Sequence, residues 1–124
     1  MIMMRTVFSG ILLVLVGLKP ASAIGVSPDN FRIDEATDLV ALCGVNTEDP
    51  LYTAAIHMCM GYLIGVHQMH TATTRIYCLP TKNPPTRDEA VAAFVAYVAA
   101  NPEIAHKKAL DAVLKWARHA YPCR

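Results

Sequence analysis

The feature that most constrains this chain is a proline-free run, residues 51–72, in which apolar side chains fall on nearly every side of a helix. Helices that are apolar all round are usually buried, so this run is predicted to be a central helix around which the other segments pack. Gly61 and Gly65 lie about one turn apart in it, although a glycine costs about 1 kcal/mol relative to alanine in a helix interior. Their spacing predicts close approach of another backbone, from a helix of the same chain or from the same helix in a second copy.

The first residues are predicted to be a secretory signal peptide, residues 1–23, cleaved after Ala23. Arg5 supplies a positive charge, residues 6–18 are almost wholly apolar, and small residues precede the cleavage point. The apolar part is short for a membrane span, and an uncleaved anchor is the alternative. We therefore expect an exported protein that does not associate with the membrane after cleavage.

The exported part, residues 24–124, is long enough for one small domain. Removing Arg5 and Lys19 from the eleven basic residues leaves nine, against ten acidic residues. Because this balance is close to neutral, no nucleic-acid partner is expected.

All four cysteines, Cys43, Cys59, Cys78 and Cys123, lie in the exported part, so two disulfides are predicted. Four cysteines permit three pairings. We favour Cys43 with Cys59, which joins segments separated by one short loop, and Cys78 with Cys123, which ties the end of the chain to the start of its C-terminal half. Zinc is the rival use, but the Cys-x-x-Cys spacing typical of zinc sites is missing from the sequence.

Start and stop signals outside the long run predict three further helices. Asp34 is a suitable cap for a short first helix that Gly44 ends. Thr86 and Glu89 form a capping box for the third helix, and residues 101–103, Asn-Pro-Glu, are predicted to restart the chain at once as the fourth. The expected fold class is all-α, a small four-helix bundle with two disulfides.

The sequence offers little chemistry for catalysis. Oxidised cysteines provide no thiolate nucleophile, and the serines of the exported part do not lie in a nucleophile-elbow motif. His67 and His70 have the only metal-like spacing, but His57 lies about 280° round the helix and cannot complete such a site. We therefore expect no catalytic residue, no metal and no cofactor, and interpret the chain as a binding protein rather than an enzyme.

Several motifs resemble those of a known family. In order they are Cys59-x-Gly61-Tyr62-x-x-Gly65-Val66, Cys78-x-Pro80, Tyr97-Val98-x-x-Asn101-Pro102-Glu103 and Tyr121-Pro122-Cys123. With a cysteine in the first helix, they make the chain similar to the Rap/Tai immunity proteins of bacterial type VI secretion. The resemblance implies a small, helical, disulfide-bonded periplasmic protein, commonly a homodimer. Its implied partner is a peptidoglycan amidase toxin, whose active-site groove it plugs with a protruding loop.

The segment of residues 69–83 is the candidate for this loop, because the long helix and Cys78 bracket it. An inhibitor of this kind needs a rigid loop, which loses little entropy when it docks. The predicted contact residues are Met69, His70, Thr74, Arg75, Lys82 and Asn83. A plain solvent-exposed connection is the alternative interpretation.

Two other functions stay open at this point. The five histidines titrate in a range that would suit an acid-stress periplasmic chaperone that exposes apolar surface at low pH. The chain could also be an orphan member of the family, an envelope-associated binding module without a toxin.

Overall fold

The computed structural model of the protein describes residues 25–124, so the predicted signal peptide lies outside the described residues. Within this range four α-helices and two 3-10 turns account for the regular structure, and strands are absent apart from one isolated bridge between Glu35 and Lys108. The helices are α1 (Ala36–Cys43), α2 (Tyr52–Ala72), α3 (Arg87–Ala100) and α4 (Ala109–Ala120), and the 3-10 turns are Pro28–Arg32 and Pro102–Ile104. The all-α prediction is confirmed.

Two disulfides hold the bundle together, and both predicted pairings are confirmed. Cys43, the last residue of α1, is bonded to Cys59 in α2, with Cα atoms 5.1 Å apart. Cys78, in the connection between α2 and α3, is bonded to Cys123 near the C-terminus, with Cα atoms 4.9 Å apart. The first bond is buried in the core, whereas Cys123 is exposed at the surface.

The centre of the fold is the short helix α1, which corrects the prediction that residues 51–72 form the central helix. Helix α1 packs against all three other helices and against the first 3-10 turn. Its Ala36, Leu39 and Leu42 have no exposed surface. Backbone hydrogen bonds also join its start to the segment before α4, from Ala36 N–H to Lys107 O and from Thr37 N–H to Ala105 O.

Helix α2 buries only one side, formed by Ala55, Cys59 and His70. Its opposite side faces outward, and there Gly61 and Gly65 would have no atom within 4 Å of an added Cβ. The prediction that a helix of the same chain packs closely on these glycines is therefore wrong. The alternative, a contact with a second copy, stays a prediction.

Another part of the core lies between α3 and α4. The rings of Phe94 and Trp116 meet edge to face, with centroids 5.6 Å apart, an arrangement that aromatic pairs favour. The buried apolar residues of the two helices are Val91, Phe94, Val98, Ala109, Ala112, Val113, Trp116 and Ala117.

The helices begin at the capping residues predicted from the sequence in only some cases. The capping box of α3 is confirmed, since Thr86 Oγ1 accepts from Glu89 N–H and Glu89 Oε2 accepts from Thr86 N–H. Helix α1 begins one residue later than expected, with Glu35 as its cap. Residues 101–103 lead only into a short 3-10 turn, and α4 begins later, at Ala109. None of the helices in residues 25–124 is long and apolar enough to span a membrane.

Candidate partner-binding loop

The segment that connects α2 to α3, residues 73–86, is called the connecting loop below. Three of its residues are prolines, which restrict the backbone and favour extended structure in the residue before each. Residues 51–87 contain no carboxylate, whereas Arg75 and Lys82 are exposed cations of the loop. The loop therefore presents positive charge to solvent.

A buried histidine holds the start of the loop. The Nε2 atom of His70, at the end of α2, accepts hydrogen bonds from the backbone N–H groups of Ile76 and Tyr77. Only 6% of His70 is exposed, and its ring lies flat against the ring of Tyr77, with centroids 3.9 Å apart. The imidazole thus supplies the hydrogen-bond acceptor for two backbone amides that lie beyond the end of α2.

Since Nε2 accepts these bonds, the proton of the neutral ring is on Nδ1. The Nδ1 atom is buried and has no hydrogen-bond partner among the described residues. Burial lowers the pKa of His70, and the neighbouring charges of His67 and Arg75 lower that pKa further. The structure therefore requires neutral His70.

Tyr77 extends the same attachment toward α2. Its hydroxyl lies 3.0 Å from Nδ1 of His67, one turn before His70. Tyr77 is 5% exposed, and burial raises the pKa of its hydroxyl. Tyr77 therefore contacts both histidines that the sequence places three residues apart on α2.

The middle of the loop is attached to the C-terminal segment. The disulfide from Cys78 to Cys123 lies beside a backbone hydrogen bond of 2.7 Å from Cys78 N–H to Tyr121 O. Leu79 and Pro85 line an apolar pocket next to Trp116 of α4. The inner side of the loop is thus fixed by a covalent bond, a backbone bond and apolar contacts.

The far end of the loop turns at Asn83, which adopts a φ of 49°. Asparagine tolerates this left-handed region better than most residues because its short side chain bonds locally. Pro84 and Pro85 follow, and the capping box of Thr86 then starts α3. The turn therefore lies directly before a segment that two prolines and a helix cap restrict.

The structure exposes five of the six predicted contact residues. Met69, at the end of α2, is 67% exposed. The other four, Thr74, Arg75, Lys82 and Asn83, are exposed residues of the connecting loop. His70 needs correction, because it is buried and shapes the loop from inside instead of offering a contact surface.

Tyr77 and Leu79 were missed by sequence reasoning. An aromatic residue following a β-branched stretch carried no signal of stacking, since its partner lies seven residues away across the end of α2. A local pattern reports which residues share a helix face, but not which loop residue folds back onto that face.

The site shows no arrangement of side chains for metal chemistry. Within residues 25–124, no three His, Cys, Asp or Glu side chains converge as metal ligands would. The two histidines closest to the loop are committed to Tyr77 and to backbone amides. The arrangement supports recognition by a shaped, positively charged surface.

Searches among curated proteins and among solved structures returned no significant match. The family model of the Rap1a immunity proteins matches residues 35–123, from the cap of α1 to the last disulfide cysteine. The match confirms the resemblance to the Rap/Tai immunity proteins, and the chain belongs to the Rap1a immunity protein family.

Proposed function

We propose that this protein acts in the periplasm, where it binds and inhibits a peptidoglycan amidase toxin delivered by type VI secretion. Membership of an immunity protein family implies a toxin partner. Both disulfides are suited to an oxidising compartment. The amidase class of the toxin follows from the family resemblance given above.

The observation that carries the proposal is an exposed, basic loop with an immobilised inner side. His70 and Tyr77 tie it to α2, and Cys78 ties it to the C-terminal segment. A loop already held in its bound shape loses little conformational entropy on docking, so more of its contact energy appears as affinity. An inhibitor that plugs a groove needs this property and no catalytic group.

The proposed contact surface consists of Met69 and the exposed side chains of the connecting loop. Met69 offers an apolar side chain at the end of α2, and Arg75 and Lys82 are exposed cations of the loop. Opposite charges on the partner would raise the association rate and fix the orientation of the complex. The expected partner surface is therefore acidic, with an apolar depression that receives Met69.

A second copy of this chain is the proposed occupant of the outward side of α2. Met58 is 41% exposed there, next to Gly61 and Gly65, whose missing side chains leave room for a close backbone. Two such helices could pack across their glycines. Sedimentation equilibrium at micromolar concentration tests this, and a purely monomeric protein would exclude the homodimer.

The acid-stress chaperone stays a second candidate because the protein combines a buried neutral histidine with exposed apolar side chains on α2. Met58 and Met69 are both more than one third exposed. Client binding at low pH, together with the lack of any toxin partner at neutral pH, would favour this function over immunity.

The decisive experiment starts with capture of partners by the purified exported protein. A captured hydrolase is then assayed on purified peptidoglycan with and without the protein. Inhibition at stoichiometric concentration supports the proposal, whereas unchanged hydrolysis by every captured partner contradicts it.

Charge-reversal variants then test the loop. Arg75→Glu and Lys82→Glu should each weaken toxin binding about tenfold, or about 1.4 kcal/mol. The matched control is Lys108→Glu, an exposed residue whose backbone pairs with Glu35 at the start of α1. Its affinity should stay within about twofold of the original protein, which one screened surface charge outside the contact permits. Unchanged affinity in both loop variants would exclude the loop as the contact.

A further inference from the structure

The hydrogen bonds of His70 depend on the protonation state of its ring. One unprotonated nitrogen, Nε2, faces the N–H groups of both Ile76 and Tyr77. In the imidazolium ion both ring nitrogens carry protons and neither can accept. Protonation would therefore break both bonds and leave three N–H groups directed toward one another.

We propose that His70 is a positioning residue for partner binding, whose neutral ring holds residues 73–77 in shape and whose protonation releases them. This inference rests on the proposed function for its biological meaning, because the loop is the proposed contact with the toxin. His70 itself touches no partner. It acts through Ile76 and Tyr77, which set the path of the backbone that carries Thr74 and Arg75.

The groups around His70 offer little compensation for a positive charge. On α2 its neighbour is His67, and in the loop its neighbours are Arg75 and the stacked ring of Tyr77. From α4, Leu110 and Leu114 line the same groove. Asp111 of α4 acts instead on Tyr62, whose pKa is raised by burial first and by Asp111 second. In residues 25–124 no carboxylate oxygen lies within 4 Å of a His70 nitrogen.

The direction of the pH effect follows from two states of the loop. In the closed state Nε2 of His70 accepts from Ile76 and Tyr77, and in the released state both bonds are broken. In the released state His70 is exposed, and its pKa approaches the ordinary value of about 6.5. In the closed state burial lowers that pKa. Below about pH 6.5 the released state therefore binds more protons, and the closed state is lost progressively as the pH falls. Between about pH 7.5 and 5.5 the released population should rise by up to about tenfold, the limit for a ring that is not protonated in the closed state.

Amide hydrogen exchange on the full exported protein, without any partner, tests the proposal. Protection of residues 73–77 is compared at about pH 7.5 and 5.5, after correction for the intrinsic exchange rates. The key variant is His70→Gln, whose side-chain oxygen can accept from the same amides but cannot be protonated in this range. The matched control is His57→Gln, the same change at an exposed position of the same helix.

The expected result is a loss of protection on acidification, of up to about tenfold, in the original protein and in His57→Gln, against a flat profile in His70→Gln. Protection in α1 should not change in any of them. An unchanged profile in the original protein, or an equal loss in His70→Gln, would overturn the proposal.

A second measurement does not depend on any variant. Titration of the His70 ring by NMR should give a pKa below about 6.5, and a value at or above this would also overturn the proposal. Both readouts are independent of the toxin. A failure of inhibition with an intact pH response would thus reject the proposed function alone, and the reverse outcome would reject only the role of His70.

Discussion

The ring of Tyr77 lies against the ring of His70, with centroids 3.9 Å apart and planes inclined by 13°, while its hydroxyl lies 3.0 Å from Nδ1 of His67. One loop side chain thereby contacts two histidines on successive positions of the same face of α2. The spacing of these histidines resembled a partial metal site in the sequence. In the structure both histidines contact Tyr77, and this contact joins the connecting loop to the folded core.

Two substitutions of Tyr77 separate the contribution of its hydrogen bond to His67 from that of its stacking on His70. Tyr77→Phe removes only the hydrogen bond to His67 and should lower the free energy of unfolding by about 1 kcal/mol. Tyr77→Ala also removes the buried ring and should cost about 3–5 kcal/mol. Denaturant unfolding measures both. Equal costs for the two variants would contradict the stacking with His70 as the main contribution.

The two disulfides should differ in their resistance to mild reduction. Cys123 is exposed and Cys78 half-buried, whereas Cys43 and Cys59 are 6% and 0% exposed. Thiolate attack needs access to sulfur, so alkylation after limited reduction should label Cys78 and Cys123 first. Earlier labelling of Cys43 and Cys59 would show that the core opens before the loop detaches.

Replacing either disulfide should lower the free energy of unfolding, and the cost should differ between the two bonds. In the loop-entropy model, removal of the bond between Cys78 and Cys123, which are 45 residues apart, costs about 4 kcal/mol. Removal of the bond between Cys43 and Cys59, 16 residues apart, costs about 3 kcal/mol by the same model, plus a cavity in the core. Paired Cys→Ser variants with thermal or denaturant unfolding give these values, and a negligible cost for either pair would contradict the prediction.

Alanine at the α2 glycines should stabilise the isolated monomer. An added Cβ at Gly61 or Gly65 meets no atom within 4 Å, and alanine is better in a helix interior by about 0.5–1 kcal/mol. Unfolding at low protein concentration measures the gain. The matched control is Gly44→Ala, whose Cβ would lie 3.1 Å from Val40 O and should destabilise. Loss of stability in both α2 variants would show that their outward side is covered.

Asp38 should contribute a pH-dependent part of the stability. Burial tends to raise the pKa of Asp38, but hydrogen bonds from Glu35 N–H, the Asn30 side chain and Asp34 N–H, with the charge of Arg32, lower it overall. Because the folded-state pKa is below the unfolded value, the contribution is complete above about pH 4 and is lost as the pH falls through the folded pKa.

Asp38→Asn tests this contribution. The variant should be less stable than the original protein at neutral pH, by about 1 kcal/mol, and the difference should shrink in acid. Asp29→Asn, an exposed carboxylate in the first 3-10 turn, is the control and should change little. If the original protein and Asp38→Asn differ in free energy of unfolding by a constant amount from neutral pH down to about pH 2, the prediction is wrong. Such a difference would not depend on the charge of the Asp38 carboxylate.

Much of the secondary structure was predictable because its signals are local. The capping box at Thr86 and Glu89 acts over one turn and formed as expected. The Asn-Pro-Glu signal at residues 101–103 failed to start α4 because residues 105–109 pair instead with the start of α1, as in the bond from Thr37 N–H to Ala105 O. A contact between segments so distant in sequence outweighed a local preference.

The candidate loop was located from the sequence, but its internal contacts were not. Bracketing by α2 and Cys78 indicated a restrained segment, and exposure of Arg75 and Lys82 follows from their charge. His70 was misassigned to the surface because a histidine at a helix end is equally compatible with either side. Only the path of the backbone after α2 shows that two amides needed its nitrogen.

The sequence by itself determined the helical class and the family, since each depends on residue types at given spacings. It favoured one of three cysteine pairings, which the structure confirms. Only the tertiary structure decided that the short α1 is the core and that the longest, most apolar helix leaves one side uncovered. The physical reason is that hydrophobicity gives the tendency of a side chain to leave water. It does not specify which other element of the chain will pack against that side chain. Burial depends on which elements meet, and it is α1, joined to α2 by one disulfide, that packs against every other helix.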